Sequence, residues 1–221
     1  MMPFPGGIED TSNAALVLSV AAAFLTLYLA DLPASLLRSL VKTLAVALLS
    51  VLAFVQQAHW LLVGALALSA AGDAFLSRPG DRAFLAGLAS FLVAHVLYIA
   101  LFALSGGGVQ TLFSARAGLA VAMLLAVFLI ARRLLPKVDS DLKLPVSIYT
   151  AAIAAMGLAA LTVGNWAIVA GAILFMVSDS ILAWEKFLLP AGARSGAAMR
   201  RAVWITYYAA QVLMTLGFLL S

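Results

Sequence analysis

Apolar blocks of about twenty residues, the length of a helix that crosses a hydrocarbon core, recur along the whole chain and are separated by short breaks rich in charge, Gly or Pro. They predict spans near 14–30, 35–55, 60–77, 83–104, 113–133, 144–163, 166–184 and 202–220. Breaks fall at Asp31 to Pro33, RPGD (78–81), SGGG (105–108), LPKVDSDLKLP (135–145) and GNW (164–166), all turn-forming compositions. The connections are too short for a soluble domain, so neighbouring helices run antiparallel. A transmembrane barrel would show short alternating segments instead of solid blocks. The expected fold is all-α: one polytopic membrane domain over residues 1–221, a bundle of eight transmembrane helices.

Composition strengthens this picture. Of 221 residues, 65% are hydrophobic and only 10% charged, and the mean hydropathy is +1.13, so too few polar groups remain to cover a water-soluble surface. The N-terminal MMPFPGGIED carries Glu9 and Asp10 where a secretory signal has basic residues, so the first apolar run is expected to be retained. No cysteine is present, which excludes disulfides and thiol chemistry. The net charge of +4 does not point to nucleic acid, because the basic residues sit at span ends and form no stripe. Assigning loops alternately to two sides puts Arg38, Arg78, Arg82, Arg132, Arg133, Lys137, Lys143, Lys186, Arg194, Arg200 and Arg201 on one side, with Arg116 bordering the other. The positive-inside rule makes the first side cytoplasmic and both termini outward: N-out/C-out.

Direction fixes depth. Counting from the cytoplasmic charge on each helix at 1.5 Å per residue, Asp73 lies about 7 Å in, Asp179, Tyr149 and Tyr207 about 9 Å, and Lys42 about 6 Å. Tyr208 and Gln211 lie slightly deeper, His95 and Tyr98 nearer the midplane, while the outer half holds little beyond Ser19, Ser50 and Thr162. Helical spacing puts Ser69, Asp73 and Leu76 on one face, as it does Gly87, Phe91, His95 and Tyr98, and Trp204, Tyr208, Gln211 and Thr215. Small residues flank both acids: Ala70 to Gly72 before Asp73, and Ser178 and Ser180 around Asp179. These polar groups are expected to line a pocket open to the cytoplasm.

Each has a plainer reading. Intramembrane acids usually mark a working site because they are costly, but either also serves packing when paired with a Ser, Tyr or Lys. Lys42 can snorkel to the surface, His95 can be a satisfied packing residue, and Tyr149 and Tyr208 can be interfacial anchors. His59 sits at a span edge. Two histidines at different depths cannot build a three-His zinc site, and G-x-S-x-G, H-E-x-x-H and P-loop signatures are all missing. No metal or cofactor is called for.

The set LVKTL around Lys42, SAAGDAFL around Asp73, FLVAHVLYIA around His95 and Tyr98, LFMVSDSILAWEKF around Asp179 and ITYYAAQVLMTLG around Tyr207 resembles the YhhN-like lysoplasmalogenase family of multispanning membrane proteins. The resemblance implies an eight-helix enzyme that hydrolyses the vinyl ether of lysoplasmalogens, releasing a fatty aldehyde and glycerophosphocholine or glycerophosphoethanolamine. The family's intramembrane acids correspond to Asp73 and Asp179. The partners implied are a lysophospholipid substrate and membrane lipids. The Ala-rich, cysteine-free chain looks bacterial, placing it in an inner membrane, or in the endoplasmic reticulum of a eukaryote.

The chemistry suits two carboxyls. Vinyl ether cleavage needs a proton donor for the β-carbon and a negative charge near the resulting oxocarbenium ion, a division of labour that glycosidases also use. Asp73 and Asp179 are the candidate acid and stabiliser, in an order the sequence leaves open. Lys42 would keep one acid ionised or bind the lipid phosphate, and His95, Tyr98, Tyr149, Ser178, Tyr207, Tyr208 and Gln211 would support water and headgroup. GDAFL and SDSIL, four spans apart and pointing the same way, hint at a duplicated unit. The rival readings are a small-molecule or proton-coupled transporter, whose acids bind cargo or protons, and a non-catalytic lipid-binding scaffold.

Overall fold

The computed structural model describes residues 2–30, 32, 35–189 and 196–221. Asp31, Pro33 and Arg194, used above as a break and a rim charge, lie outside them. Eight α-helices are present among the described residues: α1 (Thr11–Leu29), α2 (Leu36–Val55), α3 (Trp60–Leu76), α4 (Asp81–Ser105), α5 (Ala117–Leu134), α6 (Ser140–Ala160), α7 (Trp166–Phe187) and α8 (Ala197–Leu219). Seven are long and apolar enough to cross a membrane. α3, at 17 residues, is shorter, about 25 Å at 1.5 Å per residue.

Side-chain caps start several helices where the sequence places a short polar residue. Asp10 accepts from the backbone N–H groups of Ser12 and Asn13, Ser35 from Arg38, and Asn165 from Ala167. His59, read above as a mere edge residue, caps α3 through Nδ1, which accepts from the Leu61 N–H at 3.2 Å.

Three expected boundaries move by four or five residues, and the 202–220 span begins already at Ala197. The 113–133 span begins only at Ala117, because Val109–Phe113 forms a separate 3₁₀ turn. The 135–145 break is mostly helical: Leu135–Lys137 is a 3₁₀ turn, and α6 starts at Ser140 after Asp139 and runs through Pro145. A proline forfeits one N–H bond to the residue four back. Six residues into a helix flanked by acidic first-turn groups, that loss is tolerated.

The described residues form two compact units, one running to Tyr98 and taking in Phe218–Ser221, the other covering Ile99–Gly217. In the first, serine hydroxyls bind carbonyls of an adjacent helix: Ser19 to Ala45 at 2.5 Å, Ser50 to Val63 at 2.9 Å and Ser90 to Leu68 at 2.7 Å. Packing and such bonds, not hydrophobicity, hold helices together where the solvent is itself oil. α3 and α4 approach through glycine: a methyl at Gly72 would meet the Phe91 ring at 2.6 Å, and one at Gly87 the Gly72 carbonyl oxygen at 3.3 Å. In the second unit Ser178 donates to the Val203 carbonyl at 3.0 Å, tying α7 to α8. The Arg116 guanidinium donates to the carbonyls of Leu161 and Val163, both at 2.5 Å, and lies 4.6 Å from the Trp166 ring centroid.

α3 and α7 share a layout. Each is capped by a side chain, His59 or Asn165, each follows the cap with tryptophan, and each carries its aspartate fourteen residues after the cap, at Asp73 and Asp179. In α4 and α8 the buried His95 and Gln211 both lie fourteen residues after the first helical position.

Gly72→Ala is expected to lower the thermal midpoint in detergent, by about 1–3 kcal/mol of overpacking against Phe91. Gly118→Ala, with nothing within 4 Å of the added methyl, is expected to raise it slightly, by about 0.5–1 kcal/mol.

Candidate active site

Asp73 is 1% exposed on α3, and the lysine on α2 turns to meet it. Lys42 Nζ lies 2.9 Å from Asp73 Oδ1, with side-chain exposures of 26% and 2%. The lysine therefore does not simply snorkel. The same unit holds His95 and Tyr98, both fully buried on α4, and Ser69, one turn before Asp73 on α3 and likewise fully buried.

The second acid has a different partner. On α7, Asp179 accepts a hydrogen bond at Oδ2 from the Tyr149 phenol of α6, at 2.5 Å. An aromatic group on α8 stands beside α7: Phe175 meets Tyr207 edge-on at 5.4 Å between centroids, and Trp204 stacks on Tyr208 at 5.7 Å. Gln211 is fully buried on α8, and Ser178, whose hydroxyl ties α7 to α8, acts from the residue before the acid.

The ten residues expected from sequence thus fall into two groups: Lys42, Asp73, His95 and Tyr98 in the first unit, and Tyr149, Ser178, Asp179, Tyr207, Tyr208 and Gln211 in the second. Each group is built on an acid from a helix with a side-chain cap, with a partner from the helix before it. Three buried hydroxyls were given no role from sequence. Thr43, Ser69 and Thr215 each carry an oxygen with no hydrogen-bond partner among the described residues. For Ser69 the signal was its spacing of four from Asp73. The second unit also contains an apolar cavity of about 430 Å³ lined by α5, α7 and the start of α8, including Met123, Met176, Trp184 and Met199. Its one lining hydroxyl, Ser180, is committed to the Met176 carbonyl at 2.7 Å. Among the described residues no group of three or more His, Asp or Glu side chains is placed to hold a metal ion.

The YhhN family profile matches residues 37–218, a stretch that includes both acids and both of their partners. The chain belongs to the YhhN family. Among its relatives, lysoplasmalogenase TMEM86B of Rattus norvegicus is 38% identical over 167 residues, covering 73% of this chain and 63% of the rat protein. The human TMEM86B is 37% identical over 164 residues, 73% of this chain and 64% of that protein. A lysoplasmalogenase of Mycobacterium tuberculosis is 35% identical over 169 residues, 74% of this chain and 61% of its own length. The chain spans a little over three-fifths of the length of these relatives. No solved structure matches it. As a YhhN family member with seven helices able to span, it is a multi-pass integral membrane protein.

Removing the cation from this family member's ion pair leaves a charge in a buried site, at a cost of about 3–5 kcal/mol. Lys42→Met is expected to lower the thermal midpoint in detergent markedly, and adding Asp73→Asn to the same chain to restore most of it. Equal loss in single and double variants would show that Asp73 is not charged.

Proposed function

We propose that this chain is a lysoplasmalogenase that hydrolyses the vinyl ether of a lysoplasmalogen, lysoplasmenylcholine or lysoplasmenylethanolamine, to a fatty aldehyde and glycerophosphocholine or glycerophosphoethanolamine. The observation that carries this reading is the unequal partnering of two helix-borne carboxyls, a lysine for Asp73 and a phenol for Asp179. The names of the relatives support it.

The partners support a division of roles. A carboxylate matched with an ammonium ion is held in its charged form, which suits Asp73 to stabilising a cation. Asp179 is the proton donor. Its Oδ2 takes the Tyr149 hydrogen bond, and the phenol stabilises the carboxylate that donation leaves behind.

The steps then balance. Asp179 gives its proton to the β-carbon of the vinyl ether, and the π electrons form the new C–H bond. The α-carbon becomes an oxocarbenium ion, stabilised by Asp73. Water adds to that carbon and loses a proton to Asp73, giving a hemiacetal. Collapse breaks the bond between the α-carbon and the glycerol oxygen: Asp73 returns its proton to that oxygen, and the hemiacetal hydroxyl returns one to Asp179. The sequence as written needs no cofactor. His95, Tyr98, Ser178, Tyr207, Tyr208 and Gln211 are assigned to shaping the pocket and orienting the headgroup.

The lysolipid's chain would lie among the helices, with its phosphate at the basic rim. All eight helices are proposed to cross, with both termini outward and the rim cytoplasmic, in a bacterial inner membrane. A reporter fused to Ser221 that is active only outside the cytoplasm should be active; an inactive one would reverse or break this topology.

Purified protein in detergent should release aldehyde from a lysoplasmalogen, which neither a transporter nor a scaffold would do. Asp179→Asn and Asp73→Asn are each expected to lower kcat by at least about 10²-fold, the scale of a lost general acid or base. Full activity in either variant would remove that acid from the mechanism.

A further inference from the structure

Ser69 is a buried polar group of α3 for which the reaction above names no task. It is fully buried, its hydroxyl has no hydrogen-bond partner among the described residues, and it sits one turn before Asp73 on the same helical face. A buried hydroxyl left in this state costs about 1–3 kcal/mol, so its retention calls for a ligand.

Other serines make the contrast clear. Ser19, Ser50 and Ser90 each donate to a carbonyl of an adjacent helix. Ser77 and Ser180 take the route open to any helical serine and bind the carbonyl four residues back, each at 2.7 Å. Ser69 does neither. Packing does not require a small polar residue at this level either. Counted from the caps, the equivalent position of α7 is Phe175, an aromatic side chain packed on Tyr207. A second hydroxyl without a partner, Thr43 Oγ1, follows Lys42 directly on α2. Hydroxyls unmatched by protein groups therefore come from both helices that carry the ion pair.

We propose that Ser69 and Asp73 hold the water molecule that captures the oxocarbenium ion. This rests on the hydrolase reading. Asp73 Oδ1 stays with Lys42, at 2.9 Å, and Oδ2 accepts one hydrogen of the water. The Ser69 oxygen accepts the other hydrogen, which methanol lacks, so a lone pair of the water oxygen is left facing the cation. When the new C–O bond forms, the hydrogen bonded to Oδ2 passes to Asp73 as a proton, and the electron pair of that O–H bond stays on oxygen.

Ser69 is then a water-binding residue that sets which nucleophile wins, and product partitioning reads this directly. Wild type, Ser69→Ala and Ser50→Ala are each given a lysoplasmalogen in buffer containing methanol, and the products are resolved by mass spectrometry. Capture by water gives aldehyde; capture by methanol gives a stable mixed acetal that keeps the glycerol. Ser50→Ala removes a buried hydroxyl bonded to a neighbouring helix and controls for general loosening. The expected result is an acetal-to-aldehyde ratio raised about two- to tenfold in Ser69→Ala, the effect of one lost hydrogen bond, and unchanged in Ser50→Ala. An unchanged ratio in Ser69→Ala, or an equal rise in both variants, overturns the assignment while the hydrolase reading stands. Wild type that releases no aldehyde overturns both.

Discussion

A carboxyl carried into a membrane-embedded helix must find a counter-charge or keep its proton, and this constraint organises both units. Moving a carboxylate and an ammonium out of water costs several kcal/mol per ion. Their mutual attraction near 3 Å is worth about 5 kcal/mol at the effective dielectric constant of 20 that reproduces protein measurements. The two terms roughly cancel, so the Lys42–Asp73 pair at 2.9 Å contributes little net stability and is poorly explained as a packing device. A neutral acid hydrogen-bonded to a phenol, as proposed for Asp179 and Tyr149, avoids the ionic cost entirely. One constraint thus has two solutions, and the two are the chemical opposites that vinyl ether cleavage uses.

The scaffold serves these solutions by letting helices close tightly around the acids. Gly72 immediately precedes Asp73 and admits the Phe91 ring; Ser178 immediately precedes Asp179 and bonds the Val203 carbonyl. In both units the residue before the acid makes the contact with the following helix. With the matching caps and tryptophans of α3 and α7, this is the likeness expected of two copies of one helical unit whose acid partners have diverged from cation to phenol.

The helices were legible in the sequence because a membrane span writes itself as an uninterrupted apolar block, and seven of the eight qualify by length and composition. Boundaries were less so. The break is expected to run to Pro145, although Asp139, Ser140 and Asp141 ahead of it carry the polar and acidic signature of a helix start. The two acids stood out because charge is rare in oil. Lys42 and Tyr149 are legible as polar groups at the depth of the acids, but which acid each one meets depends on the register between helices, which no local pattern encodes. The likeness of α3 and α7 was visible only as GDAFL and SDSIL. Its stronger part, the shared distance from cap to acid, emerges once His59 is seen to cap a helix. Ser69 was placed on the face of Asp73 but given no task, because a serine that fails to bond its own helix looks, in sequence, like one that does.

The proposed mechanism has Asp179 carry the proton and Asp73 the charge. Infrared difference spectroscopy of the resting protein in detergent, wild type minus each aspartate-to-asparagine variant, tests this most directly. A protonated-carboxyl C=O stretch is expected that disappears in Asp179→Asn and persists in Asp73→Asn. Loss of that band in Asp73→Asn instead, or its absence from the wild-type protein, would contradict the mechanism.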